Sequence, residues 1–256
     1  MAVTVSTFLF KLLGRLERAA AYAQGKGYGA TTVAREVTLL RKLLCMTPSL
    51  AVDVGGNVGN YTAELRRRNP ALEIHTFEPS ETNLTRLAER FRGDERITLV
   101  PLALSDRAGS ATLYSNELGS GLASLTQRRL AHFDIAFNSK ETIKTVRFED
   151  YWREQLQSRP LDMVKIDIEG HELAALKGFG AALDLTRVVQ FEFGGCNIDT
   201  RTYFQDFWYF FQDRGFDIYR VAPLGAQRIS RYRESDEYFL TTNFIAVNGR
   251  QKTVPA

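Results

Sequence analysis

Residues 50–59 read Leu50-Ala51-Val52-Asp53-Val54-Gly55-Gly56-Asn57-Val58-Gly59, a short apolar run that passes directly into a glycine-rich turn. A mostly apolar run of this length, bounded by turn residues, predicts a short buried strand. A helix is expected next, from about Tyr61 to Arg68, then a second strand from Glu73 to Glu78 that Pro79 closes. Strand, glycine turn, helix and strand make a βαβ unit, so the sheet is parallel and the fold class is α/β.

Working outward, the same alternation continues. Glu81 to Arg92 predicts a helix and Ile97 to Leu104 a strand, with Ser110 to Tyr114 and Ile143 to Phe148 as two short strands around a long polar loop, Ser115 to Lys140. Loops of that length in compact domains are usually lids or binding loops. Phe148 to Gln157 predicts a helix, Asp162 to Asp167 a strand, Glu172 to Gly178 a helix and Val188 to Phe193 a strand. Tyr203 to Arg214 is an aromatic-rich helix, and Phe216 to Val221 with Phe239 to Val247 predict a closing hairpin with an antiparallel last strand. Ahead of the first strand, residues 5–24 and 31–44 carry apolar residues at helical spacing, including Leu9, Leu12, Leu13 and Leu16, then Val33, Val37, Leu40 and Leu44. The expected organisation is an N-terminal helical appendage (1–47), one catalytic domain (48–249) and a tail (250–256). The apolar stripes of the appendage are expected to cover an edge of the domain or a partner subunit, which leaves oligomerisation through these helices open.

Composition narrows the class. Of 256 residues, 44% are hydrophobic and 25% charged, with 33 Lys+Arg against 30 Asp+Glu, so nucleic acid is not an expected partner. No charge-free stretch approaches the roughly 18 apolar residues of a membrane span. Two cysteines make no disulfide framework, and Lys11 interrupts the first apolar stretch, so the expected location is the cytoplasm.

The glycine turn suits a nucleotide-like ligand at a strand end. A dehydrogenase fingerprint would need glycine at 55, 57 and 60, where the chain has Asn57 and Asn60, and no Gly-Lys-Ser/Thr follows for a P-loop. Asp53, before Gly55, Asn57 and Gly59, instead suits the cationic end of S-adenosylmethionine, or simply caps the turn. Glu78 stands 25 residues after Asp53 at the next strand end, where a carboxylate accepts both hydrogens of a ribose diol. Leu104, Ser105 and Asp106 supply an apolar wall and polar groups for an adenine; the alternative for Asp106 is an Asx turn.

Four segments together resemble the FkbM family of S-adenosylmethionine-dependent methyltransferases: Asp53 to Tyr61, Phe77-Glu78-Pro79, Leu102-Ala103-Leu104-Ser105-Asp106, and Val164-Lys165-Ile166-Asp167-Ile168-Glu169-Gly170-His171-Glu172. The likeness spans roughly residues 48–248, and the last segment is its most specific part. It implies a Rossmann-like methyltransferase fold, with a mostly parallel seven-stranded sheet and an antiparallel last strand, and methyl transfer to oxygen, often on sugars or polyketides. Gly56 departs from the alanine more common in the family, and is expected only to loosen the turn.

A neutral hydroxyl is a poor nucleophile, so O-methylation needs a base near the strand end that carries Asp167, Glu169 and His171. These three are the catalytic candidates. His171 has the suitable unperturbed pKa, whereas either carboxylate would need desolvation or a like-charged neighbour. Asp167, Glu169 and Glu192 could instead gather a divalent cation, though the favoured reading has no metal. The cluster from Tyr203 to Phe211 is expected to pack as core rather than form a sugar-stacking platform. The expected acceptor is a sugar hydroxyl of a glycan, glycolipid or glycosylated metabolite. A polyketide, a nucleic acid, or a scaffold that binds the cofactor without catalysis are the alternatives.

Overall fold

The computed structural model describes residues 7–29 and 32–251; the predicted helix starts at 5–6 and 31 and most of the predicted tail lie outside them. In chain order the elements are α1 (Thr7–Ala23), α2 (Val33–Leu44), β1 (Leu50–Val54), α3 (Asn60–Arg68), β2 (Glu73–Phe77), α4 (Glu81–Arg90), β3 (Ile97–Val100), β4 (Ala103–Leu104) and β5 (Gly109–Ser115). There follow β6 (Ser139–Val146), α5 (Phe148–Glu154), β7 (Leu161–Ile166), α6 (Glu172–Gly178), β8 (Thr186–Phe193), α7 (Cys196–Thr200), α8 (Phe204–Gln212), β9 (Phe216–Ala222), β10 (Gly225–Ile229) and β11 (Thr242–Asn248).

The main sheet has the order β10-β9-β11-β8-β7-β1-β2-β3. β11 is antiparallel to both β8 and β9, between which it inserts, and β7, β1, β2 and β3 continue the sheet in parallel. The expected mostly parallel, Rossmann-like sheet is present with one correction: it has eight strands, not seven. β10 is added at the edge because Ala222 pairs with Gly225 across Pro223-Leu224, a two-residue hairpin loop.

A second correction concerns the expected strand from Ile97 to Leu104. It breaks at Pro101, which has no N–H for a ladder bond. Ala103 and Leu104 pair with Thr145 and Val146 instead, in a three-stranded sheet of order β4-β6-β5.

Both faces of the main sheet are covered, so successive residues of one strand enter different cores. On one side Met163, Val188 and Ile245 pack with Val37 and Leu40 of α2 and with Tyr61 and Leu65 of α3. On the other, Val164, Val189 and Phe244 meet α5, α6 and α8. Phe204, Phe207 and Phe211 are fully buried there, and Phe191 stacks on Phe207 and Phe211 with ring centroids 4.9 and 5.1 Å apart. The phenylalanines and Trp208 of the aromatic cluster are core, whereas Tyr203 and Tyr209 are about half exposed. α1 behaves otherwise: Leu9, Leu12, Leu13 and Leu16 are 41–58% exposed, so its stripe covers no edge of this chain.

Candidate active site

The C-terminal ends of β1, β2, β7 and β8 surround a cavity of about 280 Å³, where open α/β sheets bind ligands. Its cofactor side is made by the glycine turn. Gly55 and Gly56 both donate their N–H to the carbonyl of Phe77, at 3.0 Å each, which folds the turn over the end of β2. Gly55 has φ +83°, and a Cβ there would lie 2.0 Å from the carbonyl oxygen of Asp167, so only glycine fits. A Cβ at Gly56 would meet the Thr76 methyl at 2.3 Å. Glycine at 56 therefore matches the bulk of Thr76 beneath it rather than loosening the turn.

Asn57, at φ 47°, donates its N–H to Glu78 Oε2 at 2.7 Å, and Ser80 donates its own to Oε1 at 3.0 Å. Two backbone bonds thus fix the Glu78 carboxyl on the cavity wall, where burial raises its pKa against these bonds. Leu104 and Leu102 are apolar residues of the cavity lining.

Asp53, Gly59, Ser105 and Asp106 stand behind the wall rather than on it. Asp53 is fully buried; Thr62 Oγ1 donates to its Oδ2 at 2.6 Å, and its Oδ1 lies 3.5 Å from Lys165 Nζ and has no hydrogen-bond partner. Burial raises the Asp53 pKa against the pull of Lys165 and Thr62. Gly59 packs against Phe91 and Leu87, where a Cβ would clash. The Ser105 hydroxyl donates to Asp106 Oδ1 at 3.1 Å and lies 3.0 Å from His171 Nε2. That pattern makes Nε2 the protonated nitrogen of His171, donating to Ser105. Burial lowers the His171 pKa, so the ring at the cavity wall is a neutral imidazole.

The other side gathers carboxyls. Lys165 Nζ lies 3.4 Å from Asp167 and donates to the Gly55 carbonyl at 3.3 Å. Burial opposes its charge, but Asp167, Asp53 and Glu36 outweigh burial and raise its pKa. Asp167 reaches the cavity with a 36% exposed side chain. Glu169 adopts φ 55°, a region a non-glycine residue occupies only where its surroundings hold it. Ser124 Oγ donates to its carbonyl at 2.7 Å and Arg128 pairs with its carboxylate, so the long loop between β5 and β6 clamps this residue. Ser120, Gly121, Ala123 and Leu125 of the same loop line the cavity. Burial, then the charge of Asp167, pushes Glu169 up to about 8. Glu192 is raised well above its ordinary value by burial and by Asp167, Glu169 and Glu172. Glu172 accepts from the N–H groups of Ile168 and Gly170 at 2.9 and 3.0 Å, which ties the turn below Glu169, and burial pushes it up to about 7.

Sequence reasoning missed part of this wall. Glu36 of α2 accepts from Gln190 Nε2 at 2.6 Å and from Asn243 Nδ2 at 3.1 Å, and Tyr61 donates to Gln190 Oε1 at 2.7 Å. The signal was present: Glu36 is an acid inside the apolar stripe of Val33, Val37 and Leu40. Arg128 carries no comparable mark in the loop. The cation alternative also changes membership, since ligand atoms of Glu169, Glu192 and Cys196 lie within 4.8 Å of one another and Asp167 is not among them.

The profile of the methyltransferase FkbM domain matches residues 53–218. The chain belongs to the FkbM methyltransferase family. This FkbM protein is 24% identical to the 2-O-methyltransferase NoeI of Sinorhizobium fredii, over 71% of its own length and 78% of the relative's. It is 28% identical to the hexuronic acid methyltransferase AglP of Haloferax volcanii (54% and 52%) and 25% identical to methyltransferase 1 of Beauveria bassiana (51% and 58%). It therefore spans a little over half the length of these last two. Among solved structures, the O-methyltransferase from Bacillus cereus in complex with SAH aligns at a TM-score of 0.44 and 13% identity, over 96% of this chain and 93% of that one. An rRNA methylase from Streptococcus thermophilus aligns at 0.45 and 14%, over 83% and 93%.

The residues present fit the family's cofactor, S-adenosylmethionine. Glycine lets the turn pass close against the strand ends, Glu78 is held on the cavity wall by two backbone donors, and the buried Asp53 carboxyl stands behind the turn beside Lys165.

Proposed function

We infer that this protein is an O-methyltransferase that takes its methyl group from S-adenosylmethionine and places it on a sugar hydroxyl. The observation that carries the reading is Glu169: a carboxyl on the cavity wall whose pKa, pushed up to about 8, matches the task of a general base near neutrality. When bound, S-adenosylmethionine supplies an electrophilic methyl group on a cationic sulfur. Glu169, once ionised, would accept the hydroxyl proton as the acceptor oxygen bonds to the methyl carbon and the carbon–sulfur bond breaks, its electron pair leaving on the sulfur of S-adenosylhomocysteine. Lys165 holds Asp167 beside it, and neutral His171 anchors the adenine side through Ser105. Glu78 orients the ribose. The likeness to the 2-O-methyltransferase NoeI supports transfer to oxygen, and the likeness to the hexuronic acid methyltransferase AglP supports a sugar acceptor.

The deciding measurement is transfer of a labelled methyl group to a panel of glycans, polyketides, RNA and proteins. Label on sugar oxygen is expected. Label only in RNA or protein, or on nitrogen, would overturn the assignment.

A further inference from the structure

Part of the cavity wall comes from outside the 53–218 family segment. Gly29, Val33 and Glu36 come from the N-terminal helical region and Asn243 from β11, and they line the same cavity as Glu169 and Glu192. The chemistry of this wall bears on which sugar the protein takes.

Resting on the sugar O-methyltransferase reading, we propose that the acceptor is an uncharged sugar and that hexuronates are rejected. Among the described residues that line the cavity, Lys165 is the single ammonium or guanidinium, and it is already engaged by Asp53, Asp167 and the Gly55 carbonyl. Arg128, just behind Glu169, is committed to Glu169 and lies 3.7 Å from Asp199. A uronate carboxylate would enter with no cation to pair with it, and a buried unpaired charge is costly. It would also meet Asp167, Glu169, Glu192 and Glu36 within one cavity. Burial is the main reason the pKa values of the last three are raised, so charge on this wall is poorly solvated and a further carboxylate would be no better solvated there. A neutral sugar meets no such penalty. Its hydroxyls can donate to carboxylate oxygens and accept from protonated carboxyls, and Asn243 adds an amide.

The test uses the full chain with labelled S-adenosylmethionine and matched p-nitrophenyl glycosides: glucoside and galactoside beside glucuronide and galacturonide, with fucoside and rhamnoside added as neutral 6-deoxy sugars. The expected result is a kcat/KM at least tenfold higher for a neutral glycoside than for either uronide. Val33→Lys places an ammonium at the half-buried start of α2, on the cavity wall, and should narrow that ratio at least tenfold. A uronide used as well as or better than the neutral sugars would overturn the proposal while leaving the sugar reading intact. An unchanged ratio in a folded V33K that still methylates the neutral glycoside would overturn its electrostatic cause. Label on no sugar of either kind would overturn the proposal and the sugar reading together.

Discussion

The two sides of the cavity are made in different ways. The cofactor side is mostly backbone: two glycine N–H groups on one carbonyl, a carboxylate held by two main-chain donors, and a strand end that sits where the βαβ unit puts it. The acceptor side is mostly long side chains from α2, β7, β8, β11 and the loop after β5, whose protonation depends on one another. A local sequence motif can specify the first, because its partners are near in sequence or held by sheet register. It cannot specify the second, where Glu36 and Gln190 are 154 residues apart.

The sharpest break of this comparison is a variant that removes chemistry and spares binding. Glu169→Gln should lower kcat by about 100-fold or more, the scale of general-base catalysis, with the S-adenosylmethionine dissociation constant changed little by calorimetry. If the Glu169→Gln variant turns over at the parental rate, the base is Asp167 or His171.

The converse variant acts on the other side. Glu78→Ala removes charge-assisted bonds to a ribose diol and should weaken cofactor binding by about 2 kcal/mol, roughly 30-fold, with a smaller effect on kcat at saturating cofactor. Asp53→Asn tests whether a residue behind the wall also acts on binding. It should weaken affinity less than Glu78→Ala, through Lys165, and equal affinity to the parent would remove Asp53 from the cofactor site.

The pH dependence distinguishes the sides further. Glu169 must lose its proton to act, so kcat should rise about tenfold per pH unit on the acid side and level off at or below about pH 8, because a cationic cofactor favours its ionised form. A profile flat from pH 6 to 9 would contradict the assignment. Stability runs the opposite way. Glu169 and Glu172 have folded pKa values of about 8 and about 7, above their ordinary 4.5, so their contribution is fully present below about pH 4.5 and is lost as pH rises through those values. Thermal melts of the free protein should show Tm falling between pH 5 and 8, and Glu172→Gln should flatten part of that fall.

The smallest effects are expected farthest from the chemistry. Glu36→Gln keeps most of the hydrogen-bonding positions joining Gln190 and Asn243, and should raise the acceptor KM severalfold while leaving cofactor affinity unchanged. Turnover should also survive a chelator. Activity lost to the chelator and restored by a divalent cation would instead give Glu169, Glu192 and Cys196 a metal role.

Much of the fold was readable in the order of residues. The buried strand from Leu50 to Val54, the glycine turn, the alternation of strands and helices and the antiparallel strand near the end all follow from local pattern, because apolar runs and glycine positions act over a few residues. So does the position of Glu78 and of the Asp167–His171 segment at strand ends. Tertiary structure alone decided the rest. α1 and α2 carry similar apolar stripes, yet Val37 and Leu40 are buried against the sheet and Leu13 and Leu16 face outward, since a stripe states that a helix has an apolar face and not what meets it. Gly56 gained its reason only from the Thr76 methyl beneath it, and β4 left the main sheet only once Pro101 had broken the ladder and β6 offered a partner. The protonation of Glu169 likewise exists only in the fold: desolvation and the charge of Asp167 depend on distances between groups, and those distances are set when the strands and the clamping loop come together.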